Sequence, residues 1–148
     1  MRFIIFVLVI YSTSLFSKDP SNYKNLFEEP PLRVLFVGNS YFYYNDSLHN
    51  HVRRMVEETF PDKKESLEFK SATIGGSRLS HHNIDHLLSY KNLSVSQPFQ
   101  VVILQGGSGE VLDAKSRRQF KIQSKRLINK IKKTGAIPVL YMIHAYVE

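Results

Sequence analysis

Val34-Leu35-Phe36-Val37-Gly38-Asn39-Ser40 is the stretch on which the fold turns. Leu32 to Val37 is β-branched and apolar apart from Arg33, and Gly38 stops the run. Near-continuous apolarity over six residues marks a strand buried on both faces of a parallel sheet. Ser40 follows that strand directly. A glycine before it permits a sharp turn, and a helix beginning after it offers unpaired N–H groups that stabilise negative charge. Ser40 therefore reads as a nucleophile whose own N–H helps hold an oxyanion. The competing reading is that Asn39-Ser40 merely caps a turn.

The residues downstream alternate helix and strand. Asn45, Asp46 or Ser47 can cap a helix whose buried stripe is Leu48, Val52, Met55, Val56 and Phe60, with Pro61 ending it. Leu67 to Ala72 reads as a weaker second strand, Gly75-Gly76 as a turn, and 80–90 as a short helix. Phe99 to Leu104 is a third strand, stopped by Gly106-Gly107. A basic helix with Phe120, Leu127, Ile128 and Ile131 on one face follows, with Gly135 after its end, and Ala136 to Ile143 is a fourth strand. This β-α-β-α-β-α-β order predicts a three-layer α/β/α domain around a parallel sheet. Ligands of such sheets bind outside the carboxyl ends of the strands.

Two further strand ends carry groups that fit with Ser40. Gly75-Gly76 follows the second strand, leaving backbone N–H groups open to a substrate oxygen. Gln105 follows the third, and its amide can donate to the same oxygen. A serine, a glycine N–H and an amide at three strand ends of one sheet constitute an oxyanion site. The plainer alternatives are a turn at Gly75-Gly76 and a polar cap at Gln105.

The blocks resemble those of the SGNH (GDSL-type) hydrolases. Val34 to Ser40 resembles the first block in its Gly-Asn-Ser form. Ala72-Thr73-Ile74-Gly75-Gly76-Ser77 resembles the second, with Gly76 the better match to its N–H donor. Val101-Val102-Ile103-Leu104-Gln105-Gly106-Gly107-Ser108 resembles the third in the Leu-Gln form of a branch that includes carbohydrate acetylesterases. Gln105 is then the donor, with Ser108 as rival. Pro138-Val139-Leu140-Tyr141-Met142 is similar to the next strand of that branch.

The resemblance implies a flavodoxin-like (SGNH hydrolase) strand order and a Ser-His-Asp ester hydrolase. Its site residues would be Ser40, Gly76 and Gln105, with no cofactor and no metal. Its substrate would be a small-molecule or carbohydrate ester, as for an acetylesterase or lipase-like enzyme. In the family the Asp and His stand in a late Asp-x-x-His motif, which this sequence lacks; Asp85-His86 has the wrong spacing. Residues 32–148 are accordingly expected to be an SGNH hydrolase-like domain incomplete at its C-terminus, inactive or weak alone, with an exposed edge at Val139, Leu140 and Ile143. The alternative is a non-catalytic ligand-binding pseudoenzyme module. A flavodoxin-like nucleotide binder is disfavoured because neither a P-loop nor a Gly-x-Gly-x-x-Gly fingerprint is present.

Composition bounds these readings. The chain has 148 residues, enough for one domain with a core, and no cysteine, which excludes disulfides and thiolate metal sites. The formal charge of +7 resides in one element, since nine basic residues face a single acid between Asp113 and Lys133. No base-reading or stacking residues accompany that stripe, so it reads as a solvated helix face and not a nucleic-acid site. At the amino end, Met1-Arg2, the apolar run Phe3–Phe16 and the boundary at Lys18-Asp19-Pro20 read as a signal peptide over 1–17, with a polar linker over 18–31. Export to the periplasm or medium is expected, an N-terminal membrane anchor being the alternative. His82 and His86 have metal-ligand spacing on a helix but no third partner. His49 and His51 point to different helix faces. His144 ends the fourth strand, as a cap or a substrate contact. Tyr41-Phe42-Tyr43-Tyr44 lines an acyl or sugar pocket or packs under the sheet edge.

Overall fold

Side chains alternate across a strand, so the first strand divides its apolar residues between two cores. The computed structural model describes residues 29–143. The signal-like segment 1–17, residues 18–28 of the linker and His144 lie outside the described residues. Strand β1 is Arg33–Gly38. Leu35 and Val37 join one cluster with Leu79, Ile84, Val102, Leu104, Leu127 and Ile131. Val34 and Phe36 join the opposite one with Phe42, Leu67, Phe69 and Val101.

Among the described residues, four strands build a single parallel sheet: β1, β2 (Glu68–Thr73), β3 (Val101–Gln105) and β4 (Ile137–Tyr141). Their order is β2-β1-β3-β4. This is the doubly wound, flavodoxin-like order the sequence predicts, in an α/β fold. The chain passes from β1 to β2 on one side and then crosses to β3 on the other. The carboxyl ends of β1 and β3 therefore flank the topological switch point, where α/β folds bind ligands.

Helices cover both faces of the sheet. Helix α1 (Ser40–Tyr43) is a single turn after β1, and α2 is Leu48–Thr59. Leu48, Val52 and Val56 of α2 pack on the Phe36 core. Met55, expected in that stripe, is 69% exposed, because the covered face of α2 is too narrow to include it. No side chain among Asn45, Asp46 and Ser47 caps α2. Ser47 occupies the N-cap with a φ of 61° and no side-chain cap bond. All three residues adopt left-handed φ values of 52°, 64° and 61°. The bend is held instead by Asn50 Nδ2 donating to the Asp46 carbonyl (2.9 Å), by the His51 ring on the Asn45 carbonyl (2.6 Å) and by the Arg54–Asp46 ion pair (2.7 Å).

The helix expected over 80–90 is broken in three. A 3-10 turn at Leu79–His81 precedes the five-residue helix α3 (Ile84–Leu88) and a second 3-10 turn at Tyr90–Leu93. The break falls at Asn83, whose side chain caps α3 through the His86 N–H. The long helix α4 (Ala114–Lys133) starts at Asp113, whose carboxylate accepts from the Ser116 N–H at 2.9 Å. Leu127 and Ile131 are fully buried, and Gly135 ends the helix with a φ of +84°. Its basic residues face outward, apart from Lys130, which pairs with Asp85. Among the described residues, no helix is long and apolar enough to cross a membrane.

Burial separates the core from the expected stripe quantitatively. Leu104→Ala removes a fully buried side chain and is expected to cost about 2–5 kcal/mol. Met55→Ala is expected to change stability by less than about 0.5 kcal/mol. Urea denaturation of the two variants checks the contrast.

Candidate active site

The end of β1 is pinned by one buried carboxamide. Asn39 is 3% exposed. Its Nδ2 donates to the Ser77 carbonyl (3.0 Å) and the Gly106 carbonyl (3.3 Å), while its Oδ1 accepts from the Tyr41 N–H (3.2 Å). One side chain thus joins the loops after β1, β2 and β3 and also caps α1. The cap reading of Asn39 and the nucleophile reading of Ser40 are therefore compatible: Asn39 is the cap and Ser40 the first residue of the helix it starts. Ser40 is half-buried and stands in a cleft of about 210 Å³ with Tyr41, Gly76, Arg78, Gly107, Ser108 and Gly109.

Of the predicted site residues, Ser40 and Gly76 share this cleft, and Gln105 does not. Gln105 is 1% exposed, below the turn. Its Oε1 accepts from the Asn39 N–H at 3.0 Å, and its amide group donates to the Gly106 carbonyl. The geometry corrects the expectation that Gln105 faces a substrate: as the last residue of β3 its side chain is directed across the sheet to β1, where it satisfies a buried N–H. A Cβ at Gly38 would stand 2.6 Å from Gln105 Oε1 and 2.8 Å from the Phe42 ring, so this position admits only glycine without displacement. Ser108, the alternative donor, lines the cleft. Gly76 has a φ of +66°, a conformation that favours glycine.

Behind Gly76 lies a polar pair. Ser77 and His82 are 2% and 5% exposed. Ser77 Oγ donates to the Gly38 carbonyl (3.2 Å) and lies 3.0 Å from His82 Nε2. Glu110, 3% exposed, accepts at Oε2 from the Gly107 N–H (2.6 Å) and the Leu79 N–H (3.4 Å). Sequence reading missed Ser77, His82 and Glu110 as supports of the site. Only the Gly-Gly-Ser run hinted at Ser77; the partners of Glu110 are backbone groups with no sequence signature.

No hydrogen bond or ring contact of the described histidines involves Ser40. His82 meets Ser77. His51 is on Asn45, His86 is on Asn92, and His81 accepts from the Arg78 N–H. His49 packs against Phe36 with its Nδ1 buried and unpartnered. Among the described residues, no group of three His, Cys, Asp or Glu side chains is placed to hold a metal ion. The tyrosine-rich stretch divides by residue. Phe42 is core, edge-on to Phe36 and Tyr141, Tyr41 lines the cleft, and Tyr43 and Tyr44 are exposed.

A protein from Slackia heliotrinireducens that carries a provisional assignment as an SGNH hydrolase superposes with a TM-score of 0.52 at 26% identity, over 75% of this chain and 55% of that one. This chain thus spans about half the length of that protein. No family model and no curated protein sequence matches the chain. The parallel sheet and this likeness together support the SGNH hydrolase superfamily as the class of the fold.

Two predictions follow from the geometry. Gly38→Ala drives a methyl group into Gln105 and Phe42 and is expected to cost about 1–3 kcal/mol by overpacking, measurable by urea denaturation. The second concerns pH. Burial holds His82 below its ordinary 6.5; His81 adds to the lowering and the Gly38 carbonyl opposes it. Burial also lowers His49, with Arg53 and Lys70 adding and Asp46 opposing. A histidine with a depressed folded pKa binds its proton more readily when unfolded. Its stability contribution is complete above the unfolded value and declines as pH falls through 6.5 toward the folded value. The urea midpoint is therefore expected to fall between about pH 7.5 and 5.5, with a shallower fall in His82→Gln.

Proposed function

We propose that the chain carries the nucleophile and oxyanion side of an SGNH-type serine ester hydrolase, acetylesterase or lipase-like, acting on a small-molecule or carbohydrate ester. The observation that carries this reading is the shared cleft: Ser40 and Gly76 meet at the switch point of the sheet, with Ser108 beside them. In the reaction, Ser40 Oγ attacks the ester carbonyl, and the developing oxyanion is held by the Ser40 and Gly76 N–H groups. The Ser108 segment is the third contributor in place of the Gln105 amide, and Gln105 acts as a positioning residue under the turn. Collapse of the tetrahedral adduct breaks the ester C–O bond and expels the alcohol, which takes up the proton given up by Ser40 Oγ; water then cleaves the acyl-enzyme, releasing the acid and restoring the Ser40 hydroxyl. In line with the segment at 1–17, the protein is exported.

The second reading, a ligand-binding module without turnover, draws on the engagement of the described histidines elsewhere. A serine without a general base keeps a high pKa and is a poor nucleophile. The residual rate from an oxyanion hole alone is on the order of 10³–10⁴ over water, far below that of a complete enzyme.

For chain 1–148, slow p-nitrophenyl acetate hydrolysis is expected that falls in Ser40→Ala to the rate the oxyanion groups alone sustain, with fluorophosphonate label mapping to Ser40. Turnover unchanged by Ser40→Ala, or label on a different serine, overturns the nucleophile assignment. Saturable ester binding with no label and no turnover selects the binding module.

A further inference from the structure

Among the described residues, the Ser40 cleft carries one formal charge on its walls. Arg78 follows the Gly76-Ser77 loop, and its side chain is exposed. Its stem crosses the loop after β3: Arg78 Cγ stands 3.4 Å from where a Cβ of Gly107 would be. The stem is thus laid against the cleft wall, with Arg78 among the residues that line it. Among the described residues, Arg78 forms no ion pair. The other lining groups are an amide, two hydroxyl side chains, a tyrosine and three glycines. The Glu110 carboxylate is buried behind Gly107, and its Oε2 already accepts from two N–H groups.

The segment that follows is net positive, with Lys115, Arg117 and Arg118 against Asp113. The Ser108–Val111 turn, whose first two residues line the cleft, is tied to α4 by Arg117. The Arg117 Nη1 donates to the carbonyls of Val111 (2.9 Å) and Leu112 (3.1 Å). Lys115, Arg117 and Arg118 occupy the first turns of α4. At physiological ionic strength fields decay over about 8 Å.

We propose that the Ser40 cleft takes esters bearing an anionic group, with the Arg78 guanidinium as the residue that selects them. The inference rests on the Ser40 cleft being the substrate site. A cleft of about 210 Å³ holds a small acyl group with one further charged substituent, so the carboxylate of a hemiester of a short dicarboxylic acid reaches Arg78 while its ester carbonyl lies at Ser40. Arg78 donates a charge-assisted, bidentate hydrogen bond to that carboxylate. A neutral ester of the same length leaves the guanidinium solvated and gains nothing from it.

The test compares monomethyl succinate with methyl butyrate, two methyl esters of similar length differing in the terminal carboxylate. Each is titrated into ¹⁵N-labelled chain 1–148 while the amide resonances of Gly76, Gly107 and Ser108 are followed. Monomethyl succinate is expected to shift these resonances saturably, with an affinity at least about ten-fold above that of methyl butyrate. That advantage is expected to shrink with added salt, to vanish in Arg78→Ala and to survive in part in Arg78→Lys, the amide spectrum reporting that each variant is folded. Equal affinity for the two esters, full retention of the advantage in Arg78→Ala, or no saturable shift with monomethyl succinate overturns the inference. Binding requires no turnover. Failure of Ser40 to react with fluorophosphonate therefore counts against the nucleophile and leaves these outcomes to be read on their own.

Discussion

The hydrogen bond from the Asn39 N–H to Gln105 Oε1 is the interaction on which the site depends. It crosses from the end of β1 to the end of β3 in a region with almost no solvent exposure. A buried amide left without a partner costs about 1–3 kcal/mol, so the chain cannot leave β1 here by another route without a replacement acceptor. The bond in turn dictates its neighbours. Gln105 must reach under the turn, which removes the space for a side chain at Gly38. Asn39 must then face the other two loops, and its carboxamide takes the Ser77 and Gly106 carbonyls. Ser40 is presented to the cleft because its predecessor is fastened in three directions. Buried polar networks of this kind reward completeness, and the described partners of Asn39 use both its donor and acceptor atoms.

This arrangement explains which parts of the molecule were legible in the sequence. The strands were, because β1 and β3 are short apolar runs ended by glycine and the alternation within β1 sorts its residues onto two faces. The place of Ser40 and Gly76 followed from their positions at strand ends. The role of Gln105 did not follow. A glutamine after a strand can face the ligand or the neighbouring strand, and that choice depends on which remote N–H lacks a partner, here Asn39, 66 residues earlier in the chain. Glu110 was hidden for the same reason, since it serves backbone N–H groups. The helix expected over 80–90 was misread because Leu79, Ile84, Leu87 and Leu88 supply apolar spacing that a continuous helix would also supply. Asn83 interrupts it with a local cap that outweighs periodicity over so few residues. Met55 illustrates a different limit: helical spacing names the residues on one face of α2 but not how much of that face the sheet covers.

Coverage of the sheet is uneven, and the unevenness bears on the site. β1 and β3 are buried on both faces, whereas Ile137, Val139, Leu140 and Tyr141 of β4 are 39–48% exposed. An apolar groove of about 430 Å³ runs beside that strand, lined by Val111, Phe120, Leu140, Tyr141 and Ile143, and it shares Gly107 with the Ser40 cleft. An outer strand with its apolar face open pairs readily with other chains. Local opening follows the elements with the least buried contact, so β4 is the element expected to separate first. The Asn39 carboxamide has its partners on the loops after β1, β2 and β3, and Gly76 is backed by Ser77 and His82 on β1's carbonyl. β4 reaches this assembly through the β3 ladder, where Gln105 pairs with Tyr141, and through the Tyr141 ring, edge-on to Phe42 at 5.2 Å. The serine turn and its glycine partner are thus built into the part of the sheet that holds together most firmly. Their geometry is preorganised by the bonds among the loops after β1, β2 and β3.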